Sequence, residues 1–161
     1  MTTQLTRLWG RAPRGERIAE STPQSHWRVL TILGAMSLRG IVAAMTIESA
    51  TDGDVFLAYV EQVLCPRLKT GDVVIMDNLS PHKHKRVGQL IAAAGAESLY
   101  LPPYSPDLNP IEKAWSKLKQ LLRAAKARTS DLLEQAVAQA LAAITSENSA
   151  AWFRHCGYGI H

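Results

Sequence analysis

Two acidic residues stand out by what surrounds them. Asp77 follows the apolar run Val73–Met76 directly and precedes Asn78. Ligand and metal sites of open α/β sheets gather at the carboxyl ends of strands, so an Asp at that point is placed to hold a cation. The plainer alternative is a turn residue, or a cap for the helix that Ser80-Pro81 would open. Glu112 closes the string Asn109-Pro110-Ile111-Glu112, a good helix start with Asn109 as N-cap, Pro110 at N1 and Glu112 at N3. A Glu at N3 reaches back to the cap amide, which gives it a purely structural role. The same geometry sets a carboxylate over a first helical turn, where the helix dipole favours negative charge and a divalent ion can be met.

The helix that follows separates two faces. Ile111, Ala114, Trp115, Leu118, Leu121, Leu122 and Ala125 line an apolar side, and Glu112, Ser116, Lys119 and Arg123 line another. A carboxylate heading a basic stripe suits metal at one end and phosphate backbone along the rest. A charge-decorated surface helix would look similar. Trp115 reads as core. His82-Lys83-His84-Lys85-Arg86 is a basic helix start whose Lys83, Lys85 and Arg86 are candidate DNA-backbone contacts. Its histidines, two apart, point to different faces and are read as incidental. Arg7, Arg11, Arg14 and Arg17 can grip phosphates or sit in a solvated loop. Tyr104 can shape the entrance near Glu112 or merely pack there.

These groups need elements to position them. Residues 1–25, with Gly10, Pro13, Gly15 and Pro23 among arginines, form a loop or hairpin arm. Residues 27–36 and 40–47 read as two strands of a hairpin turning at 37–40. Asp52 or Asp54 caps a helix over roughly 55–68. The run 73–76, apolar throughout, reads as a strand buried on both faces. A helix over 81–94 closes at Gly95. Then come a strand over 97–101, a proline-rich loop over 101–110, a helix from 110 to about 128, and another over about 130–146. The tail from 152 to 161 has no assignment. Strands alternating with helices after a hairpin indicate a three-layer α/β domain, with no internal repeat and no domain boundary in the 161 residues.

Bulk properties narrow the class. Apolar residues make up 47% and charged residues 20%, which suits a packed globular domain and excludes disorder over most of the length. The net charge of +4 is unevenly spread. Residues 1–39 carry six Arg against Glu16 and Glu20, residues 113–128 carry six bases and no acid, and residues 40–112 carry nine acids against five bases. Two basic segments flanking an acidic middle suit a protein that holds a polyanion around carboxylates. Cys65 and Cys156 show no zinc spacing, and a reduced cytosolic setting fits. No secretory leader or membrane span is read.

With these residues in view, the segments VVIMDNLSPHKHKRVGQLI and ESLYLPPYSPDLNPIEKAWSKLK resemble the catalytic core of DDE-superfamily transposases, the bacterial insertion sequence six-thirty type related to mariner elements. In that family the second catalytic Asp follows an apolar strand as DN. The third carboxylate is the Glu of YSPDLNPIE. Asp77 and Glu112, with 34 residues between them, match both. The stretch GRAPRGER at 10–17 resembles the family's segment after its first catalytic strand, so the likeness runs over essentially the whole chain.

The resemblance implies a ribonuclease-H-like three-layer fold, a mixed sheet with flanking helices. It implies a transposase domain cutting and joining DNA strands through a carboxylate triad and Mg²⁺ or Mn²⁺. Asp77 and Glu112 would be catalytic metal ligands. Arg11, Arg14, Arg17, Lys83, Lys85, Arg86, Lys119 and Arg123 would contact DNA. The expected partners are element ends and target DNA, with a homodimer or an upstream transposase fragment; the expected location is the bacterial cytoplasm, at the nucleoid. The family's first catalytic Asp, and most of its central strand, would fall a few residues before Met1. The expectation is therefore a single domain over residues 1–161, truncated at its N-terminus and inactive alone. Its alternative role is a remnant that only binds DNA or dimerises. Glu48 ends a strand, but an outer one, and neither it nor Asp52 nor Asp54 is expected to replace the missing ligand.

Overall fold

A computed structural model of the chain describes residues 11–17, 30–127 and 129–159. Strands β1 (Thr31–Ser37) and β2 (Gly40–Ile47) form an antiparallel hairpin running from the pair Thr31/Ile47 to Ser37/Gly40. Of the strand expected over 27–36, residues 27–29 lie outside the described residues, Leu30 precedes the ladder, and Ser37 extends it. The turn closes on Gly40 at φ +113°, and a Cβ there would come 2.8 Å from the Ile144 carbonyl oxygen. Glycine is required at that position by both backbone and space.

Helix α1 (Gly53–Tyr59) starts where Asp52 accepts the Val55 N–H at 2.9 Å, so Asp52 rather than Asp54 is the cap. The helix continues through a π turn, Val60–Leu64, and a 3-10 turn, Cys65–Arg67. Strand β3 (Val73–Met76), helix α2 (Lys85–Ala93) and strand β4 (Glu97–Tyr100) make one β-α-β unit with parallel strands in register from Val73/Glu97 to Met76/Tyr100. Helices α3 (Ile111–Ala125), α4 (Ser130–Ala142) and α5 (Ser146–His155) follow.

Several expectations change here. The run at β3 is not buried on both faces. Val74 and Met76 pack into the core, whereas Val73 is 54% exposed, because alternate side chains of a strand leave on opposite faces. The helix expected from 81 is a 3-10 turn, Ser80–Lys83, followed by α2, whose cap is the His84 side chain accepting the Arg86 N–H at 3.3 Å. The last expected helix ends at Ala142, short of 146, and a further helix, α5, follows it. Thr145 and Asn148 form a reciprocal capping box that starts α5, whose last residues, 152–155, take in the beginning of the unassigned tail. Among the described residues the sheet is two separate two-stranded ladders rather than one continuous mixed sheet. The central strand expected ahead of Met1 lies outside them.

Shared packing, not a backbone ladder, joins the two halves. One cluster gathers Phe56, Tyr59, Val60 and Leu64 of the first helix with Leu33 and Met45 of the hairpin, Val74 and Met76 of β3, and Val87 and Ile91 of α2. The other cluster takes the opposite face of the hairpin, Leu30 and Ile32, against Leu118 and Leu122 of α3 and Leu133 and Val137 of α4. The hairpin is thus a middle layer between two sets of helices. Trp115 belongs to this second core, as its position on the apolar stripe predicts. It lies over Gly34, where a Cβ would meet the indole Cη2 at 2.8 Å. The side chain of Lys117 turns inward, donating to the Ala143 carbonyl at 2.8 Å and to Asn148 Oδ1 at 2.5 Å, and ties α3 to the start of α5. No helix among the described residues is long and apolar enough to cross a membrane.

Candidate active site

Because β3 and β4 are parallel and in register, the segments leaving them emerge side by side. The Leu101 N–H donates to the Met76 carbonyl at 2.8 Å, and the Asn78 side-chain amide donates to the Leu101 carbonyl. Asp77 sits between these anchors, at the strand end, where sequence reasoning places it. Its Oδ1 accepts the Leu79 N–H at 3.1 Å. The turn role is therefore real as well, and it orients the carboxylate.

After Leu101 the proline-rich loop turns through Tyr104 at φ +59°, a left-handed backbone rare outside glycine. A 3-10 turn, Pro106–Leu108, then leads into α3. Asn109 is not the cap. Pro110 already has helical backbone angles and occupies the cap position, and no side chain bonds the first turn. The capping box expected for Glu112 is therefore not formed, and its carboxylate is exposed. Asp77 and Glu112 line one cleft of about 440 Å³, together with Asn78, Lys83, Tyr104 and Asn109. Tyr104 is fully exposed at its edge, so the packing alternative for its ring does not hold.

The basic candidates divide. Lys83 lines the cleft. Lys85 and Arg86 are exposed at the start of α2, Arg86 lying 4.0 Å from Glu61. Lys119 is exposed on the stripe headed by Glu112, and Arg123 is half-buried. Arg11, Arg14 and Arg17 are exposed around a turn closed by Glu16 N–H on the Pro13 carbonyl. None of these seven lines the cleft. Arg7 lies outside the described residues.

Three residues near the cleft escaped sequence reasoning. His82 is not incidental: its Nδ1 lies 2.6 Å from Asp77 Oδ1. Tyr100 donates its hydroxyl to the His82 carbonyl at 2.8 Å. Tyr158 donates to the Leu108 carbonyl at 2.9 Å and braces the loop ahead of α3 from the far end of the chain. Only the closeness of His82 to Asp77 in sequence could have hinted at any of them. Burial pushes the thiols of Cys65 and Cys156 up, Glu61 adding to the effect at Cys65; both then favour the unreactive protonated form.

Asp77 Oδ2 and the Glu112 carboxylate offer hard oxygen donors, the chemistry that Mg²⁺ and Mn²⁺ prefer. The donor set fits such an ion in kind. In number it is short, since among the described residues no group of three or more His, Cys, Asp or Glu side chains gathers to hold a metal.

Among solved structures, the fold is similar to a chain in the crystal structure of the Mos1 strand transfer complex, with a TM-score of 0.65 at 16% identity over 94% of this chain. This chain spans only 45% of that one. No curated protein matches it significantly. The model of the DDE superfamily endonuclease family matches residues 2–134, including both cleft carboxylates and the strand, loop and helix start that carry them. The chain belongs to the DDE superfamily of endonucleases.

Proposed function

We propose that the chain is the catalytic domain of a DNA transposase of the insertion sequence six-thirty type, with a ribonuclease-H-like fold. Its reaction is cleavage and transfer of DNA strands at element ends, with Mg²⁺ or Mn²⁺. The observation that carries this reading is that Asp77 and Glu112, far apart in sequence, line one cleft in a chain of the DDE family. The similarity to a strand transfer complex supports DNA as the partner.

Asp77 and Glu112 would hold the ion. When bound, the ion supplies Lewis-acid stabilisation of the attacking and leaving oxygens of an in-line displacement at phosphorus. The chain's own part is placement. Asp77 is oriented by the Leu79 N–H, and Glu112 stands on the first turn of α3, where the dipole favours its charge. Lys83 on the cleft wall meets the scissile region's phosphates. The outer bases Arg11, Arg14, Arg17, Lys85, Arg86, Lys119 and Arg123 serve flanking backbone, a contribution that weakens steeply with salt.

A second reading rests on the same cleft. With two carboxylates and no third metal-binding group gathered among the described residues, the chain by itself binds DNA without cutting it. One assay separates the two: Mg²⁺-dependent nicking of inverted-repeat DNA, alongside a mobility shift with the same DNA. The first reading expects nicking to fall by more than about 100-fold in Asp77→Ala and in Glu112→Ala, beyond the loss usual for an outer-shell partner. Equal nicking by wild type and variants would remove the role of both residues. A retained shift without nicking selects the second reading.

A further inference from the structure

We infer that His82 is a positioning residue for the Asp77 carboxylate, fixing which of its oxygens faces the bound ion; the inference rests on Asp77 being a metal ligand, as proposed above. His82 is held from three directions, one at its ring and two at its backbone. It packs on Phe56, with ring centroids 4.3 Å apart and planes at 37°. Phe56 is itself only 6% exposed and belongs to the central core. The backbone of His82 is pinned at both ends of its peptide units. Its N–H donates to the Leu79 carbonyl at 3.0 Å, and its carbonyl accepts the Tyr100 hydroxyl at 2.8 Å. A core aromatic, a turn and the neighbouring strand together determine where the imidazole sits.

Nδ1 then lies 2.6 Å from Asp77 Oδ1, buried from water and, among the described residues, without an aligned hydrogen-bond partner. The contact is within charge-assisted hydrogen-bond distance but off hydrogen-bond alignment. Poorly aligned hydrogen bonds of this kind commonly tighten when a catalytic ligand binds. The Leu79 N–H falls on the same oxygen. Both constraints therefore act on Oδ1, and Oδ2 is left to face the cleft. A donor that holds one carboxylate oxygen while the other meets a cation is the usual work of an outer-shell partner, whose removal weakens metal binding by about 10–100-fold. His82 is not itself a ligand in this arrangement, since it is not among the residues that line the cleft shared by Asp77 and Glu112.

The test is Mn²⁺ binding to the full 161-residue chain, read as the free-ion signal in electron paramagnetic resonance, with a thermal melt of each variant. Asp77→Ala serves as the reference for loss of the ligand. His82→Phe keeps an aromatic ring on Phe56 but removes the donor, and binding is expected to weaken about tenfold or more. His82→Asn returns a nitrogen at the position of Nδ1 and should recover most of that loss. His82→Gln carries its nitrogen one bond further out and should not. Should His82→Phe fail to fold, the Asn/Gln pair decides alone. Wild-type binding by His82→Phe, or equal binding by the Asn and Gln variants, overturns the inference while leaving the metal reading intact if Asp77→Ala has lost the ion. Unchanged binding by Asp77→Ala overturns both.

Discussion

Asp77 and Glu112 face the same cleft from supports of opposite character. Asp77 stands in a dense local web of strand-end hydrogen bonds, an Asn78 anchor and the His82 contact, all within a few residues or on the adjacent strand. Among the described residues the Glu112 carboxylate has no bond of this sort. Its position follows from where α3 begins, and α3 is placed by distant parts of the chain: Gly34 beneath Trp115, Asn148 and Ala143 on Lys117, and Tyr158 on the loop in front. One carboxylate is oriented locally and the other by tertiary packing. Loosening the packing around α3 is therefore expected to displace Glu112 before Asp77.

Three substitutions bear on that difference. The largest effect on stability is expected from Gly34→Val. Its side chain would be driven into the Trp115 indole, an overpacking that costs about 1–3 kcal/mol. Denaturant unfolding should record the loss, and hydrogen exchange should rise in α3 before it rises at β3. Equal loosening of both regions would erase the distinction. Next is Asn78→Ala, which leaves the buried Leu101 carbonyl without its side-chain donor and should cost about 1–2 kcal/mol. Exchange should increase around residues 77–79 and 100–102, with α3 unchanged. The smallest effect belongs to Tyr158→Phe. The lost bond to Leu108 is at an exposed site, so water replaces it and about 0.5 kcal/mol is expected. The informative readout is protection of residues 106–112 alone; a change that reaches β3 would show that the two supports are not separate.

Much of this was legible in the chain because the signals are local. The apolar run before Asp77 predicts β3 with its bounds, and the glycine-bounded run 40–47 predicts β2. The apolar stripe of α3 predicts both the helix and the inward place of Trp115. Errors arose where two local signals competed. Asn109 and Pro110 both read as helix-start residues, and the proline's own helical backbone moved the cap onto itself. Ser80-Pro81 reads as a helix opening, yet only a 3-10 turn forms, and His84 caps the true helix. The β3 run looks doubly buried because hydrophobicity does not state how many neighbours a strand finds.

By itself the sequence determined the family, the order of most elements, and the two carboxylates at a strand end and a helix start, since strand, turn and helix preferences act over a few residues. Folding alone decided that both carboxylates line one cleft, that His82 meets Asp77, and that Tyr158 braces the loop before Glu112 across 50 positions. Those contacts join groups with no periodic or spacing relation in the chain. They exist because a shared core brings a hairpin, a β-α-β unit and three helices into one packing arrangement.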